Sequence, residues 1–303
     1  MQKDTTTNRH LDMLATAFGK DLLGLLNEPD ITEIMLNPDG KLWVESYSGG
    51  KYFTQITLSE HQVANIIKLA AACHNTIANS AHPEVSCELP INNARFQGWL
   101  PPVAVAPTFT IRKRATRIFT LDDYVATEAL TAEQAIYLRD SIALRKNILI
   151  SGGTSSGKTT FANALLHELR DSNDRIIILE DLPELQISAK DCVKLTSTSG
   201  VSMRSLVKGI LRMRPDRIII GEVRDGTALE LLKAWNTGHP GGICTIHANS
   251  SEATISRLED LVREAVNIMP AHLIKEALDI IVFMQKNYRG DHAVNSITEL
   301  TAG

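Results

Sequence analysis

Gly152-Gly153-Thr154-Ser155-Ser156-Gly157-Lys158-Thr159 matches the pattern G-x-x-x-x-G-K-[ST] at every fixed position. Asn147-Ile148-Leu149-Ile150 precedes it and reads as a buried strand. Thr160-Phe161-Ala162-Asn163-Ala164-Leu165-Leu166 follows it and reads as a helix. A strand, a glycine-rich turn and a helix start in that order aim successive backbone N–H groups at one point, which suits a chain of phosphates. The glycines let the backbone wrap without a Cβ clash. Lys158 is placed to reach β- and γ-phosphates, and the Thr159 hydroxyl to ligate Mg²⁺. Gly152 through Thr160 is therefore the candidate nucleoside triphosphate loop, and its setting predicts an α/β fold.

The rest of the chain narrows the class. Its 303 residues favour two domains, each large enough for a core. Hydrophobic content of 44% and charged content of 22% are those of an ordinary globular chain. A net charge of -4 provides no general attraction to nucleic acid or acidic lipid, so any such contact has to be local. The four cysteines, Cys73, Cys87, Cys192 and Cys244, form no C-x-x-C pair and fit a reducing compartment. Cys73, His74, His82 and Cys87 have no standard zinc spacing. The N-terminus lacks the apolar segment of a signal peptide, and runs such as Ile280-Ile281-Val282-Phe283-Met284 are too short to span a bilayer. A cytoplasmic chain, peripheral at any membrane it meets, is expected.

Two pattern regimes follow one another. In the first, Leu11, Leu14, Ala15, Phe18, Leu22, Leu25 and Leu26 recur at helical spacing. Strands Ile31–Leu36 and Lys41–Glu45 flank Asn37-Pro38-Asp39-Gly40, a type I turn. A strand at Tyr52–Ile56, a helix over Glu60–Cys73 and strands near Val85–Leu89, Ala94–Leu100 and Thr108–Arg112 complete a small α+β domain. Ala115–Tyr124 has no periodicity and reads as linker. Beyond it helices and strands alternate, as in a parallel sheet covered by helices. The boundaries expected are 1–114 for the N-terminal domain, 115–127 for the linker and 128–303 for the nucleotide domain. Trp43, Trp99 and Trp235 are expected in cores, and Asn249…Glu252 reads as a capping box.

Hydrolysis needs groups that hold metal and orient water. Two acidic segments follow apolar strands: Glu180-Asp181-Leu182-Pro183-Glu184 after Ile176–Leu179, and Gly221-Glu222-Val223-Arg224-Asp225 after Ile218–Ile220. Ligands of open α/β sheets sit at the carboxyl ends of strands, so both acids are candidates. The usual metal-binding Asp at the second strand end is replaced by Gly-Glu. That substitution leaves Glu222 to reach metal through water, or to orient and deprotonate the attacking water. His247 ends the strand Ile243–Ile246 and is a candidate γ-phosphate contact, whereas His239 reads as a structural histidine.

Four elements in this order resemble the hexameric ATPases of type II secretion, type IV pilus and type IV secretion systems: the phosphate loop, the Glu180–Glu184 box, the Leu211–Asp225 block, and Gly238-His239 with Thr245-Ile246-His247-Ala248-Asn249-Ser250. Glu33-Ile34-Met35-Leu36-Asn37-Pro38-Asp39-Gly40-Lys41-Leu42-Trp43-Val44-Glu45 is more specifically similar to the TrbB-type ATPases of conjugative transfer. The chain lacks the four-cysteine module typical of the type II branch. The resemblance implies a PAS-like α+β N-terminal domain before a RecA-like P-loop NTPase domain, six copies forming a ring. It implies ATP and Mg²⁺ as ligands, with Thr159, Glu180 and Glu222 around the metal, partly through water. Arginines of the N-terminal domain are implied to close over the phosphates; Arg95 and Arg112 are the candidates. Such an arginine is worth roughly 10³–10⁵ in rate. The implied partners are inner-membrane components of a conjugative or type IV secretion channel, with direct nucleic-acid binding left open. A pilus extension or retraction motor, a RecA-type nucleic-acid translocase and a non-hydrolysing nucleotide-gated scaffold are the alternative readings.

Overall fold

The computed structural model describes residues 3–47, 49–113, 118–198, 200–268, 270, 272–286 and 292–300. The chain divides into two compact units, Met1–Arg117 and Ile118–Gly303. Residues 115–117 of the expected linker, and Arg114 beside Arg112 and Lys113, lie outside the described residues.

The first unit holds α1 (Lys3–Asn27), β1 (Ile31–Leu36), β2 (Lys41–Ser46), β3 (Gly50–Thr57), α2 (Glu60–Cys73), β4 (Glu84–Glu88), β5 (Arg95–Trp99) and β6 (Thr108–Arg112). Its six strands pair antiparallel in the order β3-β2-β1-β6-β5-β4. One face of this sheet packs on both helices through Ile34, Leu36, Val44, Phe96, Phe109 and Ile111, against Phe18 and Leu22 of α1 and Ile66 and Ile67 of α2. The β1–β2 turn closes through Gly40 N–H to Asn37 O at 2.9 Å. Ser59 and Gln62 form a capping box that starts α2 where the spacing predicts it. Trp43 and Trp99 are half-buried on the other face of the sheet instead of in the core, because each alternates with inward residues of its own strand. Trp43 packs there on Phe53, ring centroids 5.6 Å apart.

The second unit contains α3 (Leu121–Ala126), α4 (Ala132–Ala143), β7 (Ile148–Gly152), α5 (Lys158–His167), β8 (Ile176–Glu180), β9 (Cys192–Thr196), α6 (Met203–Ile210), β10 (Arg217–Val223), α7 (Thr227–Asn236), β11 (Ile243–His247), α8 (Ser251–Arg263), α9 (Leu273–Ala277), β12 (Ile280–Lys286) and β13 (His292–Glu299). Seven strands run in the order β13-β12-β7-β11-β10-β8-β9. All are parallel except β13, an antiparallel edge on β12. Burial on both faces explains the continuous apolar runs. Leu149, Ile177, Ile218, Ile220 and Ile246 face a core shared with α6–α9, while Ile148, Ile150, Ile178, Ile219 and Ile243 face α3–α5.

Several boundaries differ from the sequence expectation. Residues 121–126 are the helix α3, capped by Thr120 and Asp123, and Tyr124 packs edge-on to Phe161 at 5.1 Å. The Leu121 and Tyr124 anchors are too few to generate a visible period in so short a helix. The cap of α8 is Ser250, accepting from Ala253 N–H at 3.1 Å, one residue later than the Asn249 expected. Trp235 is buried as expected and donates to Ile218 O at 3.1 Å.

Asn147 ties three elements ahead of β7. Its side chain donates to Ala277 O and accepts from Gly242 N–H, both at 2.8 Å, and is 4% exposed. Asn147→Leu would leave a buried donor and a buried acceptor without partners. The expected loss is about 2–6 kcal/mol, from about 1–3 kcal/mol for each of the two orphaned groups. Chemical denaturation checks it, and a loss under about 0.5 kcal/mol would show the site to be more tolerant than a surface position.

Candidate active site

The phosphate loop, the two acidic segments and His247 leave the carboxyl ends of four adjacent parallel strands, β7, β11, β10 and β8. The register His247↔Gly152 places the histidine level with the first loop glycine. The sheet thus gathers at one edge residues up to 95 positions apart, from Gly152 to His247.

The loop itself is held by backbone geometry. Gly152, Ser155 and Gly157 have positive φ angles of 154°, 54° and 88°. A Cβ at Gly152 would strike the Met284 carbonyl of β12, so only glycine lets the neighbouring strand pass this close. Gly157 begins α5 with no side-chain cap, leaving the first-turn amides to another acceptor. Ser156 Oγ is buried and makes no hydrogen bond among the described residues. Lys158 is buried and donates to Gly152 O at 2.9 Å and Gly153 O at 2.7 Å. Uncapped amides, an unbonded hydroxyl and an ammonium folded on the loop fit a polyphosphate, which offers acceptors to all three. Thr154 and Ser155 are exposed at the tip; Gly153, Thr159 and Thr160 are half-buried.

Glu222 lies in an irregular stretch of β10. Ile220 pairs with Cys244 and Val223 with Ile246, so β10 advances three residues while β11 advances two. Such a bulge re-aims a side chain, here one beside Gly221, whose carbonyl accepts from Thr245 Oγ1 at 2.6 Å. Glu222 Oε2 accepts from Arg224 Nε at 2.9 Å and Nη2 at 2.6 Å. Its Oε1 is buried and lies 3.0 Å from His247 Nε2, yet the geometry is not that of a hydrogen bond and no donor serves it among the described residues. The oxygen is therefore a buried acceptor whose hydrogen-bonding capacity is unfilled among the described residues. His247 Nδ1 lies 3.3 Å from Lys158 Nζ. Arg224, Glu222, His247 and Lys158 therefore form one connected line ending on the phosphate loop.

Glu180 is more deeply buried, and its Oε1 accepts from the N–H groups of Glu184 at 2.8 Å and Leu185 at 2.7 Å. Burial pushes its carboxyl above the ordinary value, and these two amides oppose that rise. One oxygen thus closes the acidic loop, and Asn163 of α5 pins the same loop by accepting from Gln186 N–H at 2.7 Å. His239 Nδ1 lies 2.8 Å from Pro215 O, which gives it the structural contact expected of it.

Arg95 and Arg112 belong to the first unit and sit directly opposite one another on β5 and β6. Successive cross-strand partners make a charged row Glu88, Arg95, Arg112, Glu33, Glu45, Lys51. Arg112 Nε lies 3.8 Å from Glu33 Oε1. Two like charges face to face are unfavourable in a sheet unless anions offset them. Lys113 instead caps the end of α1, donating to Leu25 O at 3.4 Å and to Glu28 O.

Sequence patterns assign no role to Arg224 or to His292, the first residue of β13. Arg224 stands inside Gly221-Glu222-Val223-Arg224-Asp225, so its two-residue spacing from Glu222 is a signal. His292 had none, since only β12–β13 pairing carries it to the loop.

Residues 32–289 match the family model described as Type II/IV secretion system protein, and the chain belongs to that family. The probable conjugal transfer protein TrbB of Sinorhizobium fredii (strain NBRC 101917 / NGR234) is 46% identical over 279 residues, covering 91% of this chain and 86% of that protein. The crystal structure of the VirB11 ATPase from the Brucella suis type IV secretion system, in complex with sulphate, aligns over 98% of this chain and 97% of its own, with a TM-score of 0.52 and 25% identity. The pilus retraction motor PilT with bound ADP shares the fold, with a TM-score of 0.64 and 18% identity over 93% of this chain and 83% of its own.

A Cβ on Gly157 would lie 3.0 Å from Cβ and Cγ of His292. Gly157→Ala is expected to weaken ATP-analogue binding by about tenfold or more, since a non-glycine residue costs about 1–2 kcal/mol in the left-handed region. Adding His292→Gly removes the contacted Cβ and Cγ but not the backbone strain, so partial recovery is expected. Fluorescent-nucleotide titration reads both, and full recovery would assign the whole effect to the clash.

Proposed function

We propose that this chain hydrolyses ATP and uses the cycle to drive conjugative DNA transfer through a type IV secretion channel. The observation that carries the hydrolytic reading is the open, buried Oε1 of Glu222, joined through His247 to the phosphate-loop lysine. A carboxylate oxygen without a donor, beside a phosphate cradle, is suited to take a proton from an attacking water.

Lys158 leaves the Gly152 and Gly153 carbonyls for the β- and γ-phosphates, and Ser156 Oγ and the α5 amides bind the remaining oxygens. His247 then loses its lysine neighbour and senses the γ-phosphate directly. Mg²⁺, when bound, neutralises charge between the β- and γ-phosphates. Thr159 is the residue to hold it, with Glu180 and Glu222 reaching it partly through water. Among the described residues no group of three or more His, Cys, Asp or Glu forms a metal cage, which suits a Mg²⁺ held mainly by substrate phosphates. Arg95 and Arg112 are the arginines this reading assigns to the phosphates during turnover. A ring of six copies, acting at the cytoplasmic face of the inner membrane with channel components there, is the assembly this reading implies. No helix of the described residues is long and apolar enough to cross a membrane. The similarity to the probable conjugal transfer protein TrbB favours conjugation over pilus retraction.

Lys158→Ala should abolish both nucleotide binding and turnover. Glu222→Gln should bind MgATP at near-parental affinity and hydrolyse it at least about 100-fold more slowly, the usual worth of a general base. Phosphate release and fluorescent-nucleotide titration measure the two effects. Parental turnover by Glu222→Gln would remove Glu222 from the role of base.

A further inference from the structure

Arg224 is the guanidinium next to the proposed base, and its contacts say more than charge balance requires. Nε and Nη2 both grip one oxygen of Glu222, Oε2, and leave Oε1 untouched. The side chain of Arg224 is 58% exposed while that of Glu222 is 16% exposed. An ion pair with one partner so solvated contributes little to stability. What the two-point grip does supply is direction, since a planar guanidinium fixes the carboxylate it holds.

Acids of the β8 loop act on the guanidinium through space. The Glu222 hydrogen bond is the leading cause that keeps Arg224 firmly charged, and Asp181 and Glu184 add to it through space. Asp181 is itself anchored, accepting from Ser197 Oγ at 2.6 Å. Arg224 thus grips the irregular end of β10 and feels, through space, the acids of the loop after β8. Around Glu222 the remaining charged or titratable neighbours are His247 and Cys244 of β11, and Glu180, whose Cγ would lie 3.2 Å from a Cβ on Gly221. None of these donates to Oε2 among the described residues.

We propose that Arg224 is a positioning residue for ATP hydrolysis, holding Glu222 by Oε2 so that Oε1 alone faces His247 and the phosphate loop. Without it the carboxylate is free to turn about its own side-chain bonds, and Oε1 no longer keeps its place beside His247 and the phosphate loop. The inference rests on the reading of Glu222 as base, and the arms below separate the two.

Arg224→Ala is expected to lower kcat by about 10–100-fold, the scale of a small misplacement of a catalytic group. KM for ATP should stay within about threefold, because the Arg224 hydrogen bonds go to Glu222 and not to the phosphate loop. Arg224→Lys should recover part of the loss, as a point charge that cannot grip in two places. In the Glu222→Gln background Arg224→Ala should add nothing further, since residues acting as a unit are not additive. Unchanged kcat, a raised KM at parental kcat, or an equal loss in the Glu222→Gln background would each overturn the proposal. Should the alanine variant fail to fold, Arg224→Gln, which keeps one donor, serves in the same assays with the same expected split. A crystal structure of Arg224→Ala reads geometry alone. Glu222 should leave its place there, and an unmoved carboxylate would overturn the proposal whatever its chemical role. Parental turnover by Glu222→Gln would instead sink the base assignment and leave that geometric result standing.

Discussion

A triphosphate site of this kind depends on backbone amides converging where no side chain intrudes. In this chain the convergence is produced by β7, flanked on one side by β11 and on the other by β12. Gly152 allows the Met284 carbonyl of β12 to pass against it, and Gly157 turns the chain into α5 beneath the ring of His292. Everything else in the second unit serves this arrangement. Asn147 fixes where β7 begins, and two apolar layers bury both faces of the sheet. The strand ends are therefore rigid points from which short loops project their polar groups.

Around the loop the polar groups divide their tasks. Lys158 is held against carbonyls and an imidazole, weaker acceptors than phosphate, so a ligand can displace them. Glu180 spends one oxygen closing its own loop, whereas Glu222 keeps one oxygen open. Two carboxylates at neighbouring strand ends thereby acquire different surroundings, one buried and engaged by backbone amides and the other with an oxygen unbonded.

How much of this was legible beforehand follows from the range of the interactions involved. The phosphate loop, the apolar strands and α2 with its Ser59–Gln62 cap are local patterns, so spacing reveals them. The helix α3 was hidden because it is a single short turn-rich segment stabilised by Tyr124 on Phe161, a contact across 37 positions. Trp43 and Trp99 were misplaced because hydrophobicity alone does not say which face of a strand an aromatic occupies; their buried neighbours decide it. Glu222 and His247 were identifiable as polar ends of apolar strands, but their 3.0 Å approach depends on the extra residue in β10.

By itself the sequence determined the phosphate loop, the parallel nucleotide unit and the succession of acidic and histidine motifs, because each is written in contiguous residues whose periodicity and turn chemistry are local. Tertiary structure alone decided strand order, the bulge that aims Glu222, the Arg224 grip and the placing of His292 over Gly157. Those depend on which strands lie side by side, and pairing between distant segments leaves no periodic trace in any one of them.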